Sequence, residues 1–363
     1  MNKTEKPNTQ TLLTVAATLI TLTALVLLPG IFGEITAQND NREEIAGECD
    51  EERIYAAVLS TRKHQLSGEN PVVGVFSTTD GGDSWSHTGW KQGRTFAVMK
   101  PPGSCGDTLF TASGNGVMRT RDGGDFWKIT TGWRITEVQD IAITPGRINR
   151  IFAATPYGVF RSDDFGKTWQ EYSLGLPSDF VASIRVDRTD PDRVFAGTEE
   201  GLSVSGDAGA HWQPLPLRDP IRSVRQSPVE PNLWVAGLQD RGVAVSRDDG
   251  NTWSYVGGAV GQKTIYECEF HPENAEELVA GGWSTGVFRS RDFGESWTQL
   301  MPGQDTLSVH CLAFSRENPE RIFIGSMGKG IFRTENDGDS WEAIAPQHFE
   351  AAQVWDLYVE GEQ

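Results

Sequence analysis

The stretch SRDFGESW at residues 290–297 decides the fold, because related stretches recur along the whole chain. They share the pattern Ser/Thr-x-Asp/Asn-x-Gly-x-x-Trp. The other copies are TTDGGDSW (78–85), TRDGGDFW (120–127), SDDFGKTW (162–169), SGDAGAHW (205–212), SRDDGNTW (246–253) and TENDGDSW (334–341). Successive tryptophans are 42, 42, 43, 41, 44 and 44 residues apart. A period of about 40–45 residues is typical of a four-stranded propeller blade. Seven copies therefore predict seven blades.

The residue types of the motif predict a hairpin turn. Asp292 can accept hydrogen bonds from backbone N–H groups, and Ser290 or Ser296 can add another. Gly294 allows a positive φ, and Trp297 can cover the hairpin. A catalytic role would need one copy, whereas seven copies around a ring indicate a structural role. The structural acceptors are Asp80, Asp122, Asp164, Asp207, Asp248, Asp292 and Asn336.

Each repeat reads as four short strands, and the last one closes the ring. The chain CDEERIYAAVL (49–59) begins the first repeat at its second strand. The missing inner strand is VWDLYVE (354–360), which aligns with VASIRVD (181–187). We therefore predict an all-β seven-bladed β-propeller closed by pairing of the C-terminal strand with the first blade. Closure removes open sheet edges.

An uncharged N-terminal run predicts one hydrophobic helix before the propeller. Residues 11–33 contain no charge, and Lys3 and Lys6 precede them. The run is long enough to span a bilayer, and the positive-inside rule places the propeller outside the cytoplasm. The predicted organisation is a cytoplasmic N-terminus (1–10), a transmembrane signal-anchor (11–33), a linker (34–44) and the propeller (45–363). A signal peptide cut after Ala37, which would release a secreted protein, is the alternative.

Composition excludes some ligands. The formal net charge of −18 disfavours nucleic acid and anionic lipid as primary ligands. The sequence has no phosphate-binding loop, no Gly-x-Ser-x-Gly and no His-Glu-x-x-His. We expect no cofactor and no metal.

The seven motifs resemble the Asp-box, or BNR repeat, of sialidases, sortilin-type receptors, xyloglucan-degrading hydrolases and photosystem II assembly factors. The resemblance covers nearly all of residues 45–363 and implies the propeller fold, but these families include enzymes and non-enzymes. The Arg-Ile-Pro signature of sialidases is absent. The phrase DPDRVFAGT (190–198) resembles xyloglucan hydrolases, which pair two propellers around a cleft, whereas one propeller is predicted here.

Strand alternation places the motif turns at one end of the ring. The opposite end carries the turns between second and third strands and the links between blades. In propellers this face and the central channel usually bind ligands. The insertion TRKHQLSGENP (61–71) would add a loop to it. The candidate binding residues are Trp90, Arg94, Trp133, Arg134, Tyr157, Arg218, Asp240, Arg241, Trp283 and Lys329. The alternative for each is an ordinary solvated surface turn.

The aligned inner strands place charged side chains toward the channel. Their fourth position is apolar or Cys and should pack between blades. The third position includes Asp140, Glu267 and Asp356, and the fifth includes Arg185, Arg225 and Glu269. The three acids are the candidates for a glycosidase acid and base, and Arg185 and Arg225 are candidate binding residues. A charge-balanced, wet channel is the alternative, and it is favoured.

The four cysteines suggest one disulfide. Cys49 and Cys105 precede second strands of adjacent blades and form a possible bridge in an exported protein. Cys268 and Cys311 lie one aligned position apart on neighbouring inner strands, so they either face each other across a blade interface or point apart. A zinc set of Cys268, His271, His310 and Cys311 is disfavoured, because side chains of neighbouring strand positions diverge.

These observations predict a membrane-anchored, extracytoplasmic scaffold with a protein partner. The closest functional resemblance is to photosystem II assembly factors, and we expect a monomeric propeller. The alternative is a propeller that binds or cleaves glycans, and a glycosidase would need two carboxylates about 5–10 Å apart in an open pocket.

Overall fold

The computed structural model describes residues 51–60, 73–91, 93–104, 106–349 and 351–360. All of these residues belong to one compact unit, Ile45–Gln363. Several predictions lie outside the described residues: the hydrophobic helix at 11–33, the linker at 34–44, the insertion at 61–71 and the Cys49–Cys105 bridge. Among the residues described, no helix is long and apolar enough to cross a membrane.

The described residues form seven four-stranded antiparallel sheets, as the repeat predicts. Blade 1 contains β1 (Ile54–Ser60), β2 (Gly74–Thr78) and β3 (Ser86–His87). Blade 2 contains β4 (Thr95–Met99), β5 (Leu109–Ser113), β6 (Gly116–Thr120) and β7 (Lys128–Ile129). Blade 3 contains β8 (Asp140–Ile143), β9 (Ile151–Thr155), β10 (Gly158–Ser162) and β11 (Gln170–Glu171). Blade 4 contains β12 (Val181–Val186), β13 (Val194–Thr198), β14 (Gly201–Ser205) and β15 (Gln213–Pro214).

The remaining blades follow the same order. Blade 5 contains β16 (Ile221–Gln226), β17 (Trp234–Leu238), β18 (Gly242–Ser246) and β19 (Ser254–Val256). Blade 6 contains β20 (Ile265–Phe270), β21 (Leu278–Gly282), β22 (Val287–Ser290) and β23 (Thr298–Gln299). Blade 7 contains β24 (Val309–Phe314), β25 (Ile322–Ser326), β26 (Ile331–Thr334) and β27 (Glu342–Ile344). A last strand, β28 (Gln353–Val359), follows blade 7.

The last strand closes the ring as predicted. Strand β28 pairs antiparallel with β1, with Ile54 opposite Val359, and becomes the inner strand of blade 1. Inner strands contact each other around the axis in the order β28, β4, β8, β12, β16, β20, β24 and back to β28. At the same seam, Lys100 and Glu360 form a buried ion pair. Sheet edges near the axis are therefore covered by neighbouring blades.

The link into the closing strand contains a short helix that the sequence pattern did not indicate. Helix α1 (Pro346–Phe349) is a single turn, and a 3₁₀ turn occupies Gly258–Val260. Phe349 is fully buried and packs edge-on against Trp85 and Phe76 of blade 1. A four-residue helix is too short to create a visible 3.6-residue period.

The hydrophobic core lies between the blades. Phe152 and Val159 of blade 3 pack with Ile184 and Val194 of blade 4 in one buried cluster, and similar clusters follow around the ring. The fourth inner-strand positions are all buried, as predicted: Val98, Ile141, Ile184, Val224, Cys268, Leu312 and Leu357. Because each cluster draws on two blades, a blade cannot bury its apolar faces alone.

The motif turns have the predicted hydrogen bonds. Asp292 Oδ1 accepts from the backbone N–H of Ser296 at 2.8 Å and from Ser290 Oγ at 2.8 Å. Ser290 Oγ accepts from the N–H of Gly294, and Trp297 Nε1 donates to the Gly294 carbonyl at 3.0 Å. Gly294 has φ +89°, and Phe293 before it has φ +53°. A β-branched residue would be strained at either place.

The motif turn and the turn between first and second strands share one end of each blade. The N–H of Ala208, in the motif turn of blade 4, donates to the carbonyl of Asp192 in the preceding turn at 2.7 Å. The equivalent bond in blade 6 joins Phe293 to Glu276. We call this end of the ring the lower face. The upper face carries the turns between second and third strands and the links between blades.

Candidate functional site

The upper face exposes large aromatic side chains. Trp133 is 82% exposed, Tyr157 55%, Trp283 54% and Trp90 38%. Each is a predicted binding residue and lies in a link between blades or in a turn between second and third strands. Exposed aromatic side chains on one face of a rigid scaffold are typical of binding surfaces, because they offer large contact area at low entropic cost.

The polar candidates of the upper face mostly have local partners. Arg94 pairs with Glu137 at 2.6 Å, and Arg134 lies 5.2 Å above the ring of Trp133. Asp240 accepts from Thr264 Oγ1 at 2.6 Å. Arg241 lies over the ring of Tyr255 and beside Asp219, and Lys329 Nζ lies 3.4 Å from Gln304 Oε1. Arg218 is exposed in the link between blades 4 and 5.

An aromatic arc lines the upper part of the channel. We use this name for Phe96, Tyr266, His310 and Trp355, which occupy the second position of four inner strands. The rings of Tyr266 and His310 are 4.8 Å apart, those of His310 and Trp355 are 3.9 Å apart, and Phe96 meets Trp355 edge-on at 5.7 Å. The arc is continuous across blades 6, 7, 1 and 2.

His310 is held neutral within this arc. Burial lowers its pKa to about 4, although the hydrogen bond between its Nδ1 and the Trp355 carbonyl opposes the shift. Arg222, which also lowers it, is held by Glu199 and Gln239. A neutral imidazole stacks between aromatic rings without the cost of burying a charge.

The axial charges pair with each other below the arc. Arg185 Nη1 lies 3.0 Å from Asp140 Oδ2. Arg225 Nη2 lies 2.5 Å from Glu267 Oε2, and its Nε contacts Glu269. Burial alone would lower the pKa of Arg225, but the neighbouring carboxylates raise it above its ordinary value. Both predicted arginines and all three predicted acids therefore belong to one axial cluster.

Two of the three acids also satisfy backbone groups of the next blade. Asp140 Oδ2 accepts from the N–H of Ile184 at 2.9 Å, and Asp356 Oδ2 accepts from the N–H of Val98 at 2.9 Å. Both N–H groups belong to the fourth inner-strand position of the neighbouring blade. A buried N–H without a partner is costly, so these carboxylates have a structural role that explains their position.

Among the three predicted acids, Glu267 has the largest pKa shift. Burial raises its pKa to about 8, Arg225 opposes the rise, and Glu269 adds to it. Burial also raises the pKa of Asp356 to about 6, with Asp140 contributing. Such shifts are common at catalytic sites, but buried ion-pair networks produce them too. Glu267 is buried and does not line the axial cavity.

A cavity of 440 Å³ occupies the lower part of the channel. Asp140, Arg185 and Arg225 line it, together with residues of the turns that follow the inner strands, such as Arg188 and Arg316. The arc residues do not line it. The predicted binding residues of the turns and links lie on the upper face, whereas the space for a small molecule lies toward the lower face.

The sequence interpretation missed two sets of residues. One is the aromatic arc, and the other is Arg188 with Arg316 at the lower mouth. The aligned inner strands contain the pattern for the first, since four of the seven second positions are aromatic or His. The second set also shares one aligned position, since Arg188 follows VASIRVD and Arg316 follows VHCLAFS, where the other repeats have Pro or Gly.

The inner-strand cysteines point apart. Cys268 packs with residues of blades 5 and 6, whereas Cys311 packs with Val354 at the seam of blades 7 and 1. Both are free and buried. This resolves the alternatives left by the sequence. In the described part of the chain no three His, Cys, Asp or Glu side chains form a group able to hold a metal ion.

Comparison with known proteins supports the repeat and the fold. The family model of the BNR-Asp box repeat matches residues 159–172. No curated protein matches the sequence. The described residues form a propeller with seven blades, and one of the seven motifs matches the BNR-Asp box repeat, in agreement with the resemblance seen in the sequence.

Solved propellers of two kinds are similar in structure. The GH74 xyloglucanase from Xanthomonas campestris has a TM-score of 0.60 and 16% identity, over 83% of this chain and 52% of that one. YCF48 bound to D1 peptide has a TM-score of 0.55 and 15% identity, over 73% of this chain and 90% of that one. YCF48 from Cyanidioschyzon merolae has a TM-score of 0.55 and 13% identity, over 71% of this chain and 87% of that one. The chain spans about half the length of the first two GH74 enzymes matched, 55% and 52%. At these identities the likeness concerns the fold.

Proposed function

We propose that this protein is a binding scaffold that holds a protein partner on its upper face. The observation that carries the proposal is the exposure of Trp133, Tyr157 and Trp283 on that face, above the aromatic arc at the channel mouth. Large aromatic side chains are enriched among the residues that dominate binding energy at protein interfaces.

The partner we propose is a peptide segment of another protein. One structural neighbour, YCF48, was solved with a bound D1 peptide, and it matches this chain over 90% of its own length. The exposed tryptophans and Tyr157 of the upper face suit apolar and aromatic peptide side chains. Trp133, Tyr157 and Trp283 carry no carboxylate, so they differ from the acid and base that a glycosidase needs.

Glycan cleavage is the second candidate, since GH74 enzymes share the fold. The axial acids argue against it. Asp140 and Asp356 accept hydrogen bonds from the backbone of neighbouring blades, and Glu267 is buried against Arg225. A general acid must reach the glycosidic oxygen, which a buried and ion-paired carboxyl does not do.

We also propose that residues 11–33 anchor the propeller at a membrane, on the extracytoplasmic side. The support is the uncharged run after Lys3 and Lys6. In the native cell, alkaline extraction should leave the protein in the membrane fraction, and protease added from the extracytoplasmic side should digest the propeller. Release of the intact chain by alkali would contradict the anchor.

Site-specific photo-crosslinking tests the proposed scaffold. A photoreactive phenylalanine is placed at Trp133, Tyr157 or Trp283 in the native cell. Phe126 is the control, because it is exposed on the lower face in the motif turn of blade 2. The three upper positions should crosslink the same peptide segment of one partner, and Phe126 should not. Equal crosslinking from Phe126 would contradict an upper-face site.

A hydrolysis screen tests the second candidate. The purified chain is incubated with xyloglucan and with sialylated glycans, and released reducing ends are measured. The scaffold proposal expects no turnover. Turnover that disappears in Asp140→Asn and Asp356→Asn, while both variants keep the wild-type thermal midpoint, would replace the scaffold by an enzyme.

A further inference from the structure

At its floor the lower cavity has more acidic than basic side chains, and at its mouth it has more basic than acidic side chains. The floor consists of inner-strand side chains, and the mouth consists of turn residues. Two arginines and three acids line the floor, Arg185 and Arg225 with Asp140, Glu269 and Asp356, and Glu267, which does not line the cavity, pairs with Arg225. Asp356 forms no ion pair within the described residues. The floor therefore holds more carboxylates than cations. Burial and the charge of Asp140 raise the pKa of Asp356, and Arg225 and Arg185 oppose the rise.

The mouth carries two arginines that lack a carboxylate partner. Arg188 Nη1 donates to the Ser227 carbonyl at 3.3 Å, and Arg316 Nη1 donates to the Glu360 carbonyl at 3.3 Å. Neither guanidinium forms an ion pair in the described part of the chain. They are close enough that burial and the charge of Arg316 both lower the pKa of Arg188. Glu273 also lines the mouth, so the two arginines leave the mouth with an excess of one cation.

Apolar residues of the inter-blade cores contribute to the walls between floor and mouth, together with polar groups. Ile141, Ile143, Phe270 and Phe314 line the cavity. Its volume of 440 Å³ is within the range of about 300–1,000 Å³ found for small-molecule pockets. A flexible methylene chain fits such walls, while the two ends of the cavity select the charges at the ends of the ligand.

We propose that the lower cavity binds a zwitterion with a carboxylate at one end and an ammonium or guanidinium at the other, of which a free basic amino acid such as L-lysine is the simplest. Its carboxylate lies against Arg188 and Arg316, and its side-chain cation reaches the carboxylates of the floor. A simple cation would be repelled at the mouth, and a dianion would be repelled at the floor. The site is separate from the proposed upper-face function, and either can fail alone.

Calorimetric titration of the purified full chain tests the proposal. The probes are L-lysine, L-lysine methyl ester, which lacks the carboxylate, and 2-aminopimelate, which has a second carboxylate in place of the side-chain cation. L-lysine should bind, and each altered probe should bind at least about tenfold more weakly. Absence of L-lysine binding at about 10 mM, or equal binding of the ester or of 2-aminopimelate, overturns the proposal.

A fourth probe distinguishes a free amino acid from the last residue of a peptide, because both carry a carboxylate and a side-chain cation. Nα-Acetyl-L-lysine keeps the carboxylate and the side-chain cation but mimics the last residue of a peptide. The free amino acid is expected to bind at least as tightly. Much tighter binding of the acetylated form would overturn the assignment to a free amino acid and indicate a chain terminus instead.

Substitutions at the mouth test whether the ligand binds in the cavity. Arg188→Gln with Arg316→Gln should weaken L-lysine binding at least about tenfold. Arg147→Gln is the matched control, since Arg147 lies in a turn of the lower face, pairs with Asp192 and does not line the cavity. If the double variant has the wild-type thermal midpoint and the wild-type affinity, the mouth arginines do not hold the ligand and the proposal is wrong.

Proton release reports whether the cation reaches the floor. A cation there favours the ionised forms of Glu267 and Asp356, around which lie Asp140, Arg185, Arg225 and Glu269, with Cys268 and Cys311 nearby. Titration at pH 7 in buffers of different ionisation enthalpy should show release of a fraction of a proton. Binding without proton release would contradict insertion of the cation.

Discussion

The guanidinium of Arg161 in blade 3 donates a 2.6 Å hydrogen bond to the backbone carbonyl of Ala208 in blade 4. Ala208 is the left-handed residue of its motif turn, with φ +57°. Arg119 makes the equivalent bond to Phe165, and Arg333 makes it to Gly81 across the closing seam, both at 2.6 Å. An arginine on the third strand thus ties several blades to the motif turn of the next.

Replacing Arg161 by Met should destabilise the propeller. The change keeps most of the apolar stem but leaves the Ala208 carbonyl without this donor and removes the bond to Tyr172. We expect a loss of about 1–3 kcal/mol in the free energy of unfolding, measured by chemical denaturation. Arg147→Met is the control, because its exposed pair with Asp192 is worth about 0–1 kcal/mol. Equal losses in both would contradict the role of the Arg161 bond.

The fold was predictable because the motif combines a turn requirement with a regular period. Residues such as Asp292 and Gly294 are needed at every copy, so their spacing gives the number of blades. The closing strand was predictable from its alignment with other inner strands. The bond of Arg161 was not predicted, because it joins residues 47 positions apart in sequence and needs two adjacent blades.

The site was only partly predictable, since the channel depends on geometry between strands. The exposure of Trp133 and Trp283 follows from their places in links and turns. The stacking of His310 on Trp355 depends on which inner strands become neighbours after closure. Arg188 and Arg316 belong to turns in blades 4 and 7, and their proximity follows from the ring as a whole.

Asp292→Ala should destabilise blade 6, and Asp292→Asn should be tolerated. Asp292 accepts from Ser290, from the N–H of Ser296 and from Ser296 Oγ, and alanine removes all three bonds. We expect alanine to cost about 1–3 kcal/mol in the free energy of unfolding. Asparagine occurs naturally as Asn336, where it accepts from the N–H of Ser340 at 3.0 Å. An asparagine variant as unstable as the alanine variant would contradict this account.

Acid should weaken the motif turns. The bond from His211 is the largest cause that lowers the pKa of Asp207 to about 2, and the bonds from Ser296 lower that of Asp292. A carboxyl with a lowered folded-state pKa stabilises the fold above its unfolded value and loses that contribution as pH falls toward the folded value. Asp207→Asn should therefore show a smaller loss of the free energy of unfolding between pH 5 and pH 2 than wild type, as measured by urea denaturation. An unchanged slope would be evidence against the effect.

Lys100→Met should destabilise the closing seam more than a surface change does. Lys100 is only 2% exposed, and its partner Glu360 follows the closing strand. Removing the cation leaves a buried carboxylate without this partner, at a cost of about 3–5 kcal/mol. Lys167→Met, at an exposed motif turn, is the control. Denaturation curves for the two variants should differ clearly, and overlapping curves would mean that the ion pair contributes little to closure.

Glu267→Gln should change how stability depends on pH. Burial raises the pKa of Glu267 from 4.5 to about 8, so the folded protein keeps a proton that the unfolded chain releases between these values. The free energy of unfolding contributed by Glu267 therefore falls as pH rises through this window. Glutamine remains neutral, and the variant should gain stability relative to wild type between pH 5 and pH 8.

The groups around Glu267 set the size of this effect, and a control separates it from general changes. Arg225 favours the ionised form, whereas Glu269 and Asp356 disfavour it. Glu295→Gln is the matched control, because Glu295 is exposed in the motif turn of the same blade. Urea denaturation of the three proteins at several pH values should give a difference that grows with pH for Glu267→Gln and stays constant for Glu295→Gln. A constant difference for both would mean that Glu267 is already ionised below neutral pH, and Arg225 would then neutralise it fully.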